Sequence, residues 1–224
     1  MITLFHCINA RSFRPLWMLE ELGVPYDLRM LPFPPRAKAR SFLAENPLGA
    51  VPFMRDGSMK MTESAAMCEY LAARYRKPGS RLDFDASDPA FGDYLNFLHF
   101  GEATLTFLQT LLQRYGRFEP ADRRNPQVVS DYERWFVARL KLLDAQLSYR
   151  RFLCGRFSAA DVSVGDALFL AEHLGLQTQF PAAASDYLHQ LKDRAAFARS
   201  LGAQASAADI QGVPLTPAPE VDLA

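Results

Sequence analysis

Cysteine is scarce in this chain: Cys7, Cys68 and Cys154 are the only three in 224 residues, widely separated and in neither CxxC nor Cys/His ligand spacing. That pattern gives no disulfide framework and no metal site, and a reducing cytoplasm is the expected setting. A surplus of charge is also missing, with 25 basic against 25 acidic residues. No overall field therefore draws the chain to nucleic acid or to an anionic membrane, and neither partner is expected. No apolar run approaches membrane-spanning length. Met1-Ile2-Thr3-Leu4-Phe5 lacks a basic n-region and a long apolar core and already alternates like a strand, so no secretory leader is expected. Repeats and low-complexity blocks are missing except for a small-residue and Pro-rich stretch at 203–224, expected as a tail that is mobile or drapes over the body.

What is present is ample apolar material, 49% of residues, enough for one large domain or two smaller ones without covalent staples. Catalysis or small-ligand binding is the starting expectation. Periodicity predicts a strand over Ile2–Phe5, a helix over Phe13–Leu22 stopped by Gly23, and a strand over Tyr26–Leu31, which is a β-α-β opening. Arg36–Leu43 reads as a weaker helix, Val51–Met54 and Met59–Met61 as strands around an Asp56-Gly57 turn, and Glu63–Tyr75 as a helix. A polar, turn-rich stretch at 79–89 suits a linker. Beyond it only helices are predicted, over 90–115, Val128–Leu147, Val162–Leu174, Asp186–Arg194 and Ala195–Leu201, with Ser158-Ala159-Ala160-Asp161 as a capping box. The expected organisation is an α/β domain at 1–78, the linker at 79–89, an all-α domain at 90–202 and the tail at 203–224.

The most informative stretch is Asn46-Pro47-Leu48-Gly49-Ala50-Val51-Pro52, followed eleven residues after Pro52 by Glu63-Ser64. An X-Pro bond adopts cis at modest cost, and a cis bond at Pro52 would turn the backbone N–H and C=O of Val51 outward to pair with an extended peptide. The first turn of the helix opened by Thr62-Glu63-Ser64 leaves backbone N–H groups able to bind a carboxylate, and Glu63 would meet an ammonium group. Simpler readings stand beside these: Pro52 as an ordinary loop proline, and Glu63 and Ser64 as helix-start residues.

Together with Arg11-Ser12-Phe13-Arg14-Pro15-Leu16-Trp17, Glu20-Glu21-Leu22-Gly23 and the Ser158–Asp161 cap, these motifs resemble the glutathione transferase superfamily over nearly the whole chain. The resemblance implies a thioredoxin-like N-terminal domain of order βαβ-α-ββα, a helical-bundle C-terminal domain, a homodimer, and glutathione as co-substrate with no metal. It further implies a cis-proline at Pro52, pairing of the cysteinyl backbone with Val51, and receipt of the γ-glutamyl group at Glu63 and Ser64. Lys38 or Arg36 would take the glycyl carboxylate, by position and charge. The electrophile, small and apolar, would enter over Phe100, Phe107 and Tyr115.

The chain departs from the family at the thiolate position. Aligned on Arg14 and Glu20-Glu21, the active Ser or Cys of several classes falls on Asn9, and that of Ser-Arg-Ser variants falls on Ala10, which donates nothing. Ser12 and Asn9 are the expected donors to the thiolate, with Arg11 and the start of the first helix as charge support. Asn9 and Ser12 could equally cap that helix. Cys7, near the presumed sulfur, could form a mixed disulfide or be a small buried residue. Conjugation of glutathione to an apolar electrophile is the leading expectation. Glutathione-dependent peroxide or disulfide reduction is the enzymatic alternative, and a non-catalytic glutathione- or protein-binding role is the alternative kept open by Ala10.

Overall fold

Strand β1, Ile2–His6, is the hub of the N-terminal sheet: it pairs in parallel with β2, Tyr26–Met30, and antiparallel with β3, Phe53–Asp56, which pairs antiparallel with β4, Met59–Met61. The computed structural model describes residues 1–77, 79 and 81–216 and gives the sheet order β2-β1-β3-β4. Alternation along β1 sends Ile2, Leu4 and His6 to one buried face. On the other face Phe5 meets Phe42 and Phe53, with ring centroids 5.2 and 5.5 Å away.

Helix α1, Phe13–Leu22, ends where Gly23 takes the left-handed conformation at φ 57° and its N–H returns to the Glu20 carbonyl. The expected helix over Arg36–Leu43 is instead a single turn, α2 at Pro35–Lys38, followed by a 3-10 turn at Arg40–Ala44. The strand expected from Val51 begins at Phe53, so Val51 and Pro52 stand in the approach to the sheet rather than within it. Helix α3, Ser64–Arg74, closes the expected βαβ-α-ββα order.

The chain divides into two compact units, and the division is not the sequential one expected at 78–90 and 202. Among the described residues, 1–77 group with 194–216, whereas those up to Asp193 form the helical unit. Helix α9, Ala195–Ile210, joins the sheet because its Phe197 ring packs edge-on against Trp17 at 5.0 Å and Phe13 at 5.3 Å. Arg194 forks onto Glu21 at 2.6 and 2.8 Å, and Arg199 reaches Glu20 at 2.9 Å. The expected tail is thus helical from Ala203 to Ile210, its Gln204 and Ala208 buried; from 217 on, it lies outside the described residues.

In the helical unit, α4 (Phe91–His99) and α5 (Phe107–Gln113) join through a π-helical stretch, Phe100–Thr106, and a second one, Arg114–Phe118, follows. The first has side-chain intrusion as its cause: Ser163 Oγ donates to the Leu98 carbonyl at 2.6 Å and Thr106 Oγ1 to that of Gly101 at 2.8 Å, so side chains enter the backbone ladder. Helix α6 spans Pro126–Leu147, with Asn125 Oδ1 accepting from the Val128 N–H at 3.1 Å. Helix α7, Ala159–His173, starts at the expected capping box, where Asp161 Oδ2 accepts from the Ser158 N–H at 2.9 Å. Helix α8 spans Ala182–Lys192. The expected linker is packed into this unit: Leu82 and Phe84 are buried, and Arg156 lies 3.8 Å over the Phe84 ring. Among the described residues no helix is long and apolar enough to cross a membrane.

Candidate active site

Topology brings three segments to one end of the sheet. Phe5 pairs with Phe53, so the chain arriving through Val51 and Pro52 passes beside the exit of β1. Leu4 pairs with Met54 and Met54 with Met61, so Thr62-Glu63-Ser64 leave the sheet at the same end. The loop 7–12 and the start of α1 complete the group.

The 46–52 loop is shaped by Asn46, which is buried and uses both ends of its amide: Nδ2 donates to the Ala50 carbonyl at 2.9 Å and Oδ1 accepts from the Leu48 N–H at 3.1 Å. Gly49 is required there, at φ 60° and with a Cβ position already filled by Leu43 and Arg36. The Val51–Pro52 peptide is cis, and so is Phe33–Pro34 in the loop between β2 and α2. Arg36 Nη2 donates to the Leu48 carbonyl at 3.1 Å, bracing the loop, while Lys38 is exposed on the same helix α2.

Ser64 is the first residue of α3, and Glu63, exposed and extended, precedes it. Arg14, wholly buried in α1, donates from Nη1 to Ser64 Oγ at 2.6 Å. This bond joins the first turn of α1 to the first residue of α3. The N-terminus of α3, favourable to anions, lies beside this hydroxyl.

The loop after β1 corrects one expectation. Ser12 has no exposed surface, and its Oγ is engaged by His6 Nδ1 at 2.7 Å and by the Cys7 N–H at 3.3 Å. Its hydroxyl is therefore built into the interior and is not offered to a ligand; it makes no side-chain cap for α1 either. Asn9 is half-buried at φ 50°, a left-handed conformation that asparagine tolerates better than most residues. Arg11 is half-buried at the entrance to α1, and Ala10 carries no polar side chain.

His6 and Gln204 support the loop from within, and Gln204 is the one that sequence reasoning missed. Gln204 Oε1 accepts from His6 Nε2 at 2.9 Å and from the Asn9 N–H at 3.1 Å, and Gln204 Nε2 donates to Asn9 Oδ1 at 2.6 Å. Burial pushes the His6 pKa down to about 4 although its bonds to Gln204 and Ser12 pull upward, so the ring is neutral at pH 7. Cys7 is fully buried and burial pushes its thiol up to about 12, which makes it an inert core residue rather than a partner for a mixed disulfide.

The expected electrophile residues lie in the helical unit. Phe100 borders a hollow of about 360 Å³ lined also by Leu95, Asn96, His99, Ala103 and Thr104. Phe107 is 54% exposed on α5, and Tyr115 is half-buried under Arg114. Among the described residues no group of three or more His, Cys, Asp or Glu is placed to hold a metal ion.

Comparison with known proteins bears on the N-terminal unit first. Residues 9–79 match the family model described as glutathione S-transferase, N-terminal domain. Glutathione S-transferase 3 of Schizosaccharomyces pombe is 34% identical over 105 residues, 47% of this chain but only 43% of that relative's length. A probable glutathione S-transferase of Oryza sativa subsp. japonica, GSTF2, is 30% identical over 152 residues, 65% of this chain and 69% of its own. In three dimensions, a sphingomonad glutathione S-transferase complexed with glutathione matches 91% of this chain and 98% of its own at a TM-score of 0.77; at 24% identity this likeness is one of fold.

Proposed function

The chain belongs to the glutathione S-transferase superfamily, and we propose that it joins the thiolate of glutathione to a small apolar electrophile. The observation that carries this reading is the convergence of the Val51–Pro52 approach, the Arg14-braced Ser64 and the Asn9 loop at one end of the sheet. Glutathione would lie extended, its cysteinyl backbone paired with Val51 and packed on Pro52. Its γ-glutamyl group would be received at the α3 N-terminus with Ser64, its ammonium meeting the Glu63 carboxylate. Its glycyl carboxylate would face Lys38 and Arg36.

Catalysis then requires a thiolate. A free thiol has a pKa of about 8.5, and donors or positive charge beside the sulfur lower it. With Ser12 turned inward, the donor role falls to the Asn9 amide, supported by Arg11 and the N-terminal end of α1. The thiol proton passes to solvent, the sulfur forms a bond to the electrophilic carbon, and the displaced group leaves with its electron pair. Likeness to the family supports a homodimer working in the cytoplasm.

The test is turnover of a chloro-nitro-aromatic compared with a hydroperoxide, each with glutathione, alongside the ultraviolet absorbance of the thiolate in the binary complex. Conjugation with a lowered thiol pKa supports the reading. Turnover of the hydroperoxide alone moves it to reduction, and glutathione binding without turnover of either moves it to a binding role.

A further inference from the structure

We propose that Gln204, on α9, is a positioning residue for the thiolate site: it determines which end of the Asn9 amide is presented to bound glutathione. The inference rests on the reading of Asn9 as the thiolate donor.

The chemistry of one backbone group fixes the arrangement. The Asn9 N–H can only donate, so the Gln204 atom 3.1 Å from it is an oxygen. The other end of that carboxamide is therefore NH2, and the Asn9 side-chain atom it meets at 2.6 Å must accept, which makes it Oδ1. The nitrogen of the Asn9 amide is thus the end turned away from Gln204. That is the polarity a thiolate requires, since a donor stabilises it and a carbonyl oxygen repels it.

The same oxygen of Gln204 accepts from His6 Nε2 at 2.9 Å, so the proton of the neutral imidazole sits on Nε2. His6 Nδ1 then accepts the Ser12 hydroxyl proton at 2.7 Å, and Ser12 Oγ accepts from the Cys7 N–H at 3.3 Å. The relay runs from the Ser12 hydroxyl through His6 to Gln204, and its polarity is pinned by a backbone N–H at each end. Gln204 is 4% exposed, and His6 and Ser12 are wholly buried, so water does not compete for these bonds. Gln204 holds Asn9 by main chain and side chain together, which also secures the left-handed φ of 50°.

The experiment measures the pKa of glutathione bound to the full chain, by ultraviolet thiolate absorbance, in wild type, Asn9→Ala, Gln204→Met and the double variant. Gln204→Met keeps the volume and removes all three bonds. It is expected to raise the bound thiol's pKa by about one unit, a tenfold loss of thiolate below that pH, while calorimetry shows glutathione affinity nearly unchanged. In the Asn9→Ala background the same change is expected to add nothing, because Gln204 acts through Asn9. Phe197→Leu, which loosens α9 without removing one of these bonds, is expected to leave the pKa in place. Gln204→Ala gives the same readout where the methionine is not accommodated. The proposal is overturned when Asn9→Ala raises the pKa and the Gln204 variants do not, or when their effects add. An unmoved pKa in Asn9→Ala overturns the donor reading itself and carries the proposal down with it.

Discussion

Arg14 Nη1 stands 2.6 Å from Ser64 Oγ, a bond between the first turn of α1 and the first residue of α3 with both side chains out of solvent. A charged donor in such a place loses most when its acceptor is deleted. Ser64→Ala is expected to cost about 1–3 kcal/mol of stability, because the guanidinium forfeits an acceptor it cannot replace with water. Glutathione affinity is expected to fall severalfold, read by calorimetry on the still-folded variant. Unchanged affinity would remove Ser64 from the γ-glutamyl site.

His6 predicts a pH dependence of stability. Its folded pKa is about 4, below the 6.5 of an unperturbed imidazole, because burial disfavours the cation. The unfolded chain therefore binds the proton first. The stabilisation is fully present above pH 6.5 and is lost as pH falls toward 4, by on the order of 3 kcal/mol in all. Urea unfolding at pH 7 and pH 5 checks this against His6→Gln, which is expected to lose less stability over the same interval than wild type.

Gly101 predicts intolerance in the helical unit. A Cβ at this position would meet Oγ and the main-chain carbonyl of Ser163 on α7. Gly101→Ala normally favours a helix, but here the close approach dominates, and a net loss of about 1–3 kcal/mol is expected in thermal unfolding. A gain in stability would mean that the two helices have room to separate.

Phe197 predicts that the sheet unit depends on α9. Its ring lies 5.0 Å from Trp17 at 90° and 5.3 Å from Phe13, all three side chains being buried. Phe197→Ala is expected to cost about 3–5 kcal/mol. In a Trp135→Phe background, tolerated because Trp135 is 54% exposed, Trp17 reports the loss directly as a red-shifted emission.

The sheet unit was legible because its signals are local. Gly23 stops α1 and the Asp56-Gly57 turn sets the β3–β4 register, just as in the helical unit Ser158 with Asp161 starts α7. The π-helical stretch at Phe100–Thr106 was not, since Ser163, which enters its ladder, is 65 residues from the Leu98 carbonyl it meets. Trp135, on α6, is 54% exposed, since helical periodicity places a residue on a stripe without saying what covers that stripe. The cis bond at Val51–Pro52 and the start of α3 at Ser64 were legible from a short motif. The inward turn of Ser12 was not, because His6 and Gln204 decide it, and Gln204 is 198 residues from His6. Nothing local distinguishes that glutamine from its neighbours on α9.

The grouping of residues 1–77 with α9 bears on biosynthesis. A ribosome releases Phe13 and Trp17 early and Phe197 only after the entire intervening helical segment has emerged. Until then the nascent sheet lacks its final apolar cover, so a chaperone or a protease finds its target there. Once α9 arrives, opening either terminus breaks the same cooperative block, and hydrogen exchange at β1 and at α9 should slow together.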